Sequence, residues 1–153
     1  MKLFARLPAL RALRALAALT AVLVVVPRAD AQEAGPSAPR GFRGIELGMS
    51  LEQAKARLAE DPLFDYRGDP DVSLLPQPPQ TLIECAGHSF LRRAYLQFHE
   101  QKLYILILVL APDRMDYYSM FSTLSRKYGE PQRLDPGEAV WAFPGLRLSL
   151  ERP

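Results

Sequence analysis

The sequence predicts an α+β fold: an antiparallel sheet with two helices packed on one face. Three observations carry this. Residues 81–86, 90–99 and 102–110 form three adjacent stretches dense in β-branched, aromatic and leucine residues. Two segments with apolar side chains at helical spacing lie before and after them, each followed by a proline stop. A final strand pair, residues 139–143 and 146–151, turns at Pro144-Gly145, a type II turn pair.

Phe42, Ile45, Leu47 and Gly48 read as a short extended lead-in to the first helix. Ser50 opens that helix as its N-cap, and Gln53 three residues on completes a capping box. Leu51, Ala54 and Leu58 share its inward side with the Lys55 stem, while Glu52, Arg57 and Glu60 face water, and Pro62 ends it. Glu100-Gln101 is the turn between the second and third central strands. In the middle strand Ala94, Leu96 and Phe98 alternate with Arg93, Gln97 and His99, so one face is wet, with Tyr95 interrupting it. The strand at 102–110 has no polar face after Lys102, which predicts either burial on both sides or a face reserved for a partner. Met115, Tyr118, Phe121, Leu124 and Tyr128 place a second helix over residues 114–128, with Gly129 as its C′ residue and Pro131 beyond. Leu146, Leu148 and Leu150 alternate with Arg147, Ser149 and Glu151 in the last strand, which ends the chain with no obvious final partner.

Residues 1–31 have the parts of a secretory signal. Lys2, Arg6, Arg11 and Arg14 make a basic n-region, 15–26 is a charge-free apolar run of twelve residues, and Ala29-Asp30-Ala31 is a cleavage pattern. Twelve residues fall short of the roughly 20 needed to span a bilayer, so the expectation is cleavage after Ala31 and a periplasmic or secreted protein. Residues 32–41 read as a disordered lead-in and 42–153 as one domain. The leader holds five of the 19 Lys and Arg and one of the 17 Asp and Glu, which leaves residues 32–153 a net charge near −2. That balance excludes the basic patch a nucleic-acid partner requires. The single Cys85 excludes an internal disulfide.

Catalytic patterns are missing from the sequence. There is no nucleophile elbow, no zinc-protease helix and no phosphate loop. Cys85-x-x-His88 has metal-pair spacing, with Glu84 or His99 as possible additions, but a closed zinc site takes four ligands and often two cysteines. Cys85 reads instead as a small buried hydrophobe, and neither a metal, a cofactor nor an enzymatic activity is expected.

The stretch DYRGDPDVSLLPQPPQ lies within a connection of about twenty residues, 61–80, long enough to require packing or a binding role. Asp65, Asp69 and Asp71 lack the alternation and closing Glu of a calcium loop. Arg67-Gly68-Asp69 resembles the integrin-binding tripeptide, but Gly68-Asp69-Pro70 is also ordinary turn chemistry. The candidate interaction surface comprises Tyr66, Arg67, Asp69, Leu74 and Leu75 from this connection, with Tyr95, Tyr104, Tyr117 and Trp141 from the sheet and second helix.

Gly44-Ile45-Glu46-Leu47-Gly48-Met49-Ser50 and the Gly129-Glu130-Pro131 turn, followed by a strand bearing Trp141, resemble domains of the SmpA/OmlA family and the β-lactamase-inhibitor-protein fold. SmpA/OmlA proteins are small lipoproteins of the outer-membrane barrel assembly machinery. The chain departs from them in having no lipidation Cys and in separating its helices by strands. The resemblance implies a non-enzymatic envelope domain that binds other proteins; the sheet strand at 103–110 and the 61–80 connection are expected to meet an envelope protein or a second copy of the chain. The alternative is a small-ligand or cell-wall-glycan protein using Tyr95, Tyr104 and Trp141.

Overall fold

The computed structural model describes residues 1–6, 37–75 and 80–152. The apolar run and cleavage pattern of the leader, and residues 76–79 of the proline-rich connection, lie outside them.

In chain order the elements are β1 (Lys2–Arg6), β2 (Gly41–Phe42), β3 (Ile45–Glu46), α1 (Leu51–Glu60), β4 (Phe64–Asp65), β5 (Val72–Leu74), β6 (Gln80–Gly87), β7 (Leu91–His99) and β8 (Lys102–Leu110). They continue with α2 (Tyr117–Tyr128), β9 (Arg133–Leu134), β10 (Glu138–Phe143) and β11 (Leu146–Glu151). The main sheet is antiparallel and runs β4-β6-β7-β8-β1-β11-β10-β9, with β5 also on β6; β2 and β3 form a separate hairpin.

α1 begins where the sequence predicts. Ser50 Oγ accepts from the Gln53 amide at 3.2 Å and Gln53 Oε1 accepts from the Ser50 amide at 2.9 Å, closing the capping box. Leu51, Ala54 and Leu58 are buried. The helix start is tied to β8, since the Gly48 amide donates to Leu103 and the Leu103 amide to Met49.

Register assigns the sheet two distinct faces. Ile83 lies opposite Leu96, and Leu96 opposite Leu106. Ala5 sits between Leu106 and Leu148, and Leu148 opposite Trp141. Ile83, Leu96, Leu106, Leu148 and Trp141 form one buried cluster with Leu51, Ala54 and Leu58 of α1 and Leu124 and Tyr128 of α2, so both helices cover the same face. Fully burying each large apolar side chain there contributes about 1.5–3 kcal/mol. This is the α+β architecture expected from the sequence.

Three details differ from the expectation. The 61–80 connection is not merely packed: Phe64–Asp65 and Val72–Leu74 pair with β6 and widen the sheet at that edge. The second helix starts at Tyr117, because Asp116 Oδ1 accepts the Ser119 amide at 2.9 Å and caps the helix there. The inward stripe is therefore Tyr117, Phe121, Leu124 and Tyr128; Tyr118, expected inside, is 76% exposed. Third, Lys2–Arg6, read as part of a basic n-region, pair with both β8 and β11 in the middle of the sheet. They supply the partner that the last strand lacked.

The β7–β8 turn places two ordinary residues in the left-handed region, Glu100 at φ 48° and Gln101 at φ 63°. Such a two-residue hairpin turn favours glycine. Gln101→Gly should raise the unfolding free energy by about 0.5 kcal/mol, the relief of left-handed strain less the added freedom of the unfolded chain. Urea denaturation followed by circular dichroism measures this, and a lowered midpoint would count against the turn geometry.

Candidate interaction face

The sheet face away from the helices is open over β6, β7 and β8, whereas Val140 and Ser149 on the same face of β10 and β11 are buried. On it lie Leu82 of β6, Tyr95 and Gln97 of β7, and Ile105, Ile107 and Val109 of β8, all part-buried. Lys2, Leu82, Arg92, Arg93, Tyr95, Gln97, Ile107 and Val109 line an open groove of about 820 Å³. A second groove of about 350 Å³ continues it across β11, lined by Gln97, Ile105, Ile107, Glu138, Arg147, Ser149 and Glu151.

The local sequence explains the apolar stripe. β8 alternates without a polar partner set, so whichever residues face the helices, the other set must be apolar too. Leu106, Leu108 and Leu110 go inward, leaving Ile105, Ile107 and Val109 outward. A register shift between Gln97 and Phe98 of β7 brings Tyr104 to Gln97, its hydroxyl donating to Gln97 Oε1 at 3.3 Å. His99 packs edge-on to Tyr104 with ring centroids 6.1 Å apart. Charge is divided along the face. Arg93 is held by Glu84 at 2.7 Å and Arg147 by Glu138 at 2.6 Å, whereas Arg92 makes no ion pair among the described residues.

The nine candidate residues separate in space. Tyr95 and Tyr104 belong to the open face, and Leu74, at the β5 edge, is 85% exposed. Leu75 is part-buried, its amide donating to Gln80 at 3.1 Å. Tyr66 is part-buried, and this desolvation raises its phenol pKa. Arg67 folds back on its own loop, its guanidinium on Asp71 Oδ1 at 2.6 Å and 3.0 Å while its amide donates to Asp71 Oδ2 at 2.9 Å. Asp69 is exposed in the turn at Asp69–Asp71. Tyr117 stacks on Phe121 at 6.3 Å, with the Arg152 guanidinium 4.5 Å from its ring centre. Trp141 leaves the surface altogether. It is fully buried, its Nε1–H donating to the Gly129 carbonyl at 2.8 Å. An aromatic platform built from Tyr95, Tyr104 and Trp141 therefore does not exist on one face.

Leu82, Arg92, Ile105, Ile107 and Val109 were not singled out from the sequence. The all-apolar strand announced a second face, but only its register against Tyr95 and Gln97 says which residues form it.

Cys85 is 1% exposed, and burial pushes its thiol up to about 12. Among the described residues no three His, Cys, Asp or Glu side chains group as metal ligands. The native chain should resist a maleimide at about pH 8 and take up one equivalent in denaturant, read by mass spectrometry. Rapid native labelling would show that β6 opens.

Fold and face together define a small α+β domain with one sheet face sealed by helices and the other left as an amphipathic groove. The chain belongs to the TP0088 domain family, whose match spans residues 40–153. No curated protein and no solved structure matches it. Among the described residues no helix is long and apolar enough to cross a membrane.

Proposed function

We propose that the protein is an exported, non-catalytic interaction domain of the cell envelope that binds a protein partner through its open sheet face. The observation that carries this is the stripe Leu82, Tyr95, Ile105, Ile107 and Val109, part-exposed along two adjoining grooves that share Gln97 and Ile107, with Arg92 at the rim of the larger. Contiguous exposed apolar area rimmed by charge marks interaction surfaces. The partner is a protein surface offering apolar side chains to the stripe and an acidic group to Arg92. The secretory pattern of residues 1–31 and the resemblance to SmpA/OmlA domains support an envelope setting. The core position of Trp141 removes one of three aromatics from the glycan-binding alternative.

The test uses the full chain immobilised beside its Ile107→Glu and Arg92→Glu variants, with folding checked by circular dichroism. A discrete envelope protein retained by the unmodified chain should be lost from I107E and bound more weakly, with a smaller salt dependence, by R92E. Equal retention by all three, or binding of cell-wall fragments in place of protein, would overturn the reading. Light scattering adds the remaining arm, since a dimer abolished by I107E assigns the face to a second copy.

A further inference from the structure

We propose that the gap between β8 and β11 is a strand-acceptor site, which in the leader-free domain takes an extended segment of a partner protein with apolar side chains at alternate positions. The present occupant defines what the slot accepts. Lys2–Arg6 pair antiparallel with residues of β8 on one side and of β11 on the other, and the Leu110 amide donates to the Met1 carbonyl at 2.9 Å. Leu3 lies between Leu108 and Leu150, and Ala5 between Leu106 and Leu148, so the slot asks for apolar residues at every second position. Lys2 stands opposite Glu151.

This occupant comes from outside the family domain, whose match begins at residue 40, and from the segment that carries the secretory pattern. Removing residues 1–31 would expose two strand edges at once, each with unpaired backbone groups.

The gap does not close at no cost. β8 and β11 run parallel to one another with a strand between them, so they stand about 9.6 Å apart, twice the spacing of neighbouring strands. Direct pairing would move β11, β10 and β9 by about 4.8 Å. That half of the sheet is fastened to α2 through Phe121 on Trp141 and the Trp141–Gly129 hydrogen bond. α2 in turn is held to the other half, because the Ala111 amide donates to Phe90 and the Met115 amide to Ala111 just before the helix. A segment that adds a strand supplies the missing hydrogen bonds without that shift.

The experiment uses the full chain with its own strand disabled, Leu3→Pro with Ala5→Pro, since proline removes the amides the ladder needs. The probe is a fluorescent peptide with the sequence of residues 1–6. The variant should bind it one to one, and at least tenfold more tightly than a peptide carrying Asp at the position of Leu3. The unmodified chain should bind it at least 100-fold more weakly, because its tethered strand competes at an effective concentration of about 1 mM. If the variant does not fold alone, refolding it with the peptide should restore the native circular dichroism. A folded variant that ignores the peptide, or an unfolded one that the peptide does not rescue, overturns the proposal. The acceptor role rests on the proposed export, since only removal of the leader empties the slot, but neither readout involves an envelope protein or the open face, so failure here leaves the proposed function standing.

Discussion

Trp141→Ala should cost about 3–5 kcal/mol of stability, the range for removing a fully buried large aromatic side chain. Trp141 is completely inaccessible, at 0% exposure, and its ring lies 6.0 Å from that of Phe121. The change opens a cavity between β10 and α2, which the helix cannot fill without pulling away from its cap. It also leaves the Gly129 carbonyl without its donor at the residue where α2 ends with φ 81°. Trp141→Phe separates the two effects. Its ring keeps most of the packing but not the indole N–H, so the loss should be about 1–2 kcal/mol. Thermal and urea unfolding followed by far-ultraviolet circular dichroism gives both values. A loss under about 1 kcal/mol for the alanine variant would contradict the burial of this ring.

Arg67→Ala should cost about 2–3 kcal/mol, although Arg67 is two-thirds exposed, because it abandons a charge that is not. The Asp71 side chain is 0% exposed and accepts both from the Arg67 guanidinium and from the Arg67 backbone amide. Removing the guanidinium leaves a buried carboxylate with only the amide. The figure sits below the full range for broken buried pairs because water can follow into the space Arg67 leaves. Arg67→Lys should recover part of the loss, since an ammonium supplies charge but not the two-nitrogen fork. Asp69→Ala, at an exposed turn position, should stay within about 0.5 kcal/mol. This contrast distinguishes a structural Arg67 from an adhesive Arg-Gly-Asp tripeptide, which would need residues 67 and 69 alike and show no stability difference between them.

The parts of the fold legible in the sequence were those set by local chemistry. The Ser50 capping box, the Glu100-Gln101 turn, Gly129 at the helix end and the alternation of Leu146, Leu148 and Leu150 all act over a few residues. What could not be read depends on distant partners. Lys2–Arg6 alternate in a way compatible with a strand, but the same residues suit a basic n-region, and only β8 and β11 as neighbours decide between them. Tyr117 and Tyr118 both fit a helical stripe; the Asp116 cap sets the phase that turns Tyr118 out. Trp141 fits either a surface or a core position from sequence, because its strand carries too few polar residues to mark its sides. Sidedness came from its pairing with Leu148. For the same reason the open face was expected only as a property of one strand, and Leu82, on another strand, was missed.

The central claim is that Lys2–Arg6 complete one continuous sheet by pairing with β8 and β11 at once. Native-state hydrogen exchange on the full chain tests it most directly. A strand paired on both edges has its successive amides bonded alternately to its two neighbours. The amides of Leu3, Phe4 and Ala5 should then exchange as slowly as those of Leu106 and Leu148, through opening of the core. Exchange of all three within the dead time, with Leu106 and Leu148 still protected, would mean that the first strand is not part of the sheet, and the strand-acceptor reading would fall with it.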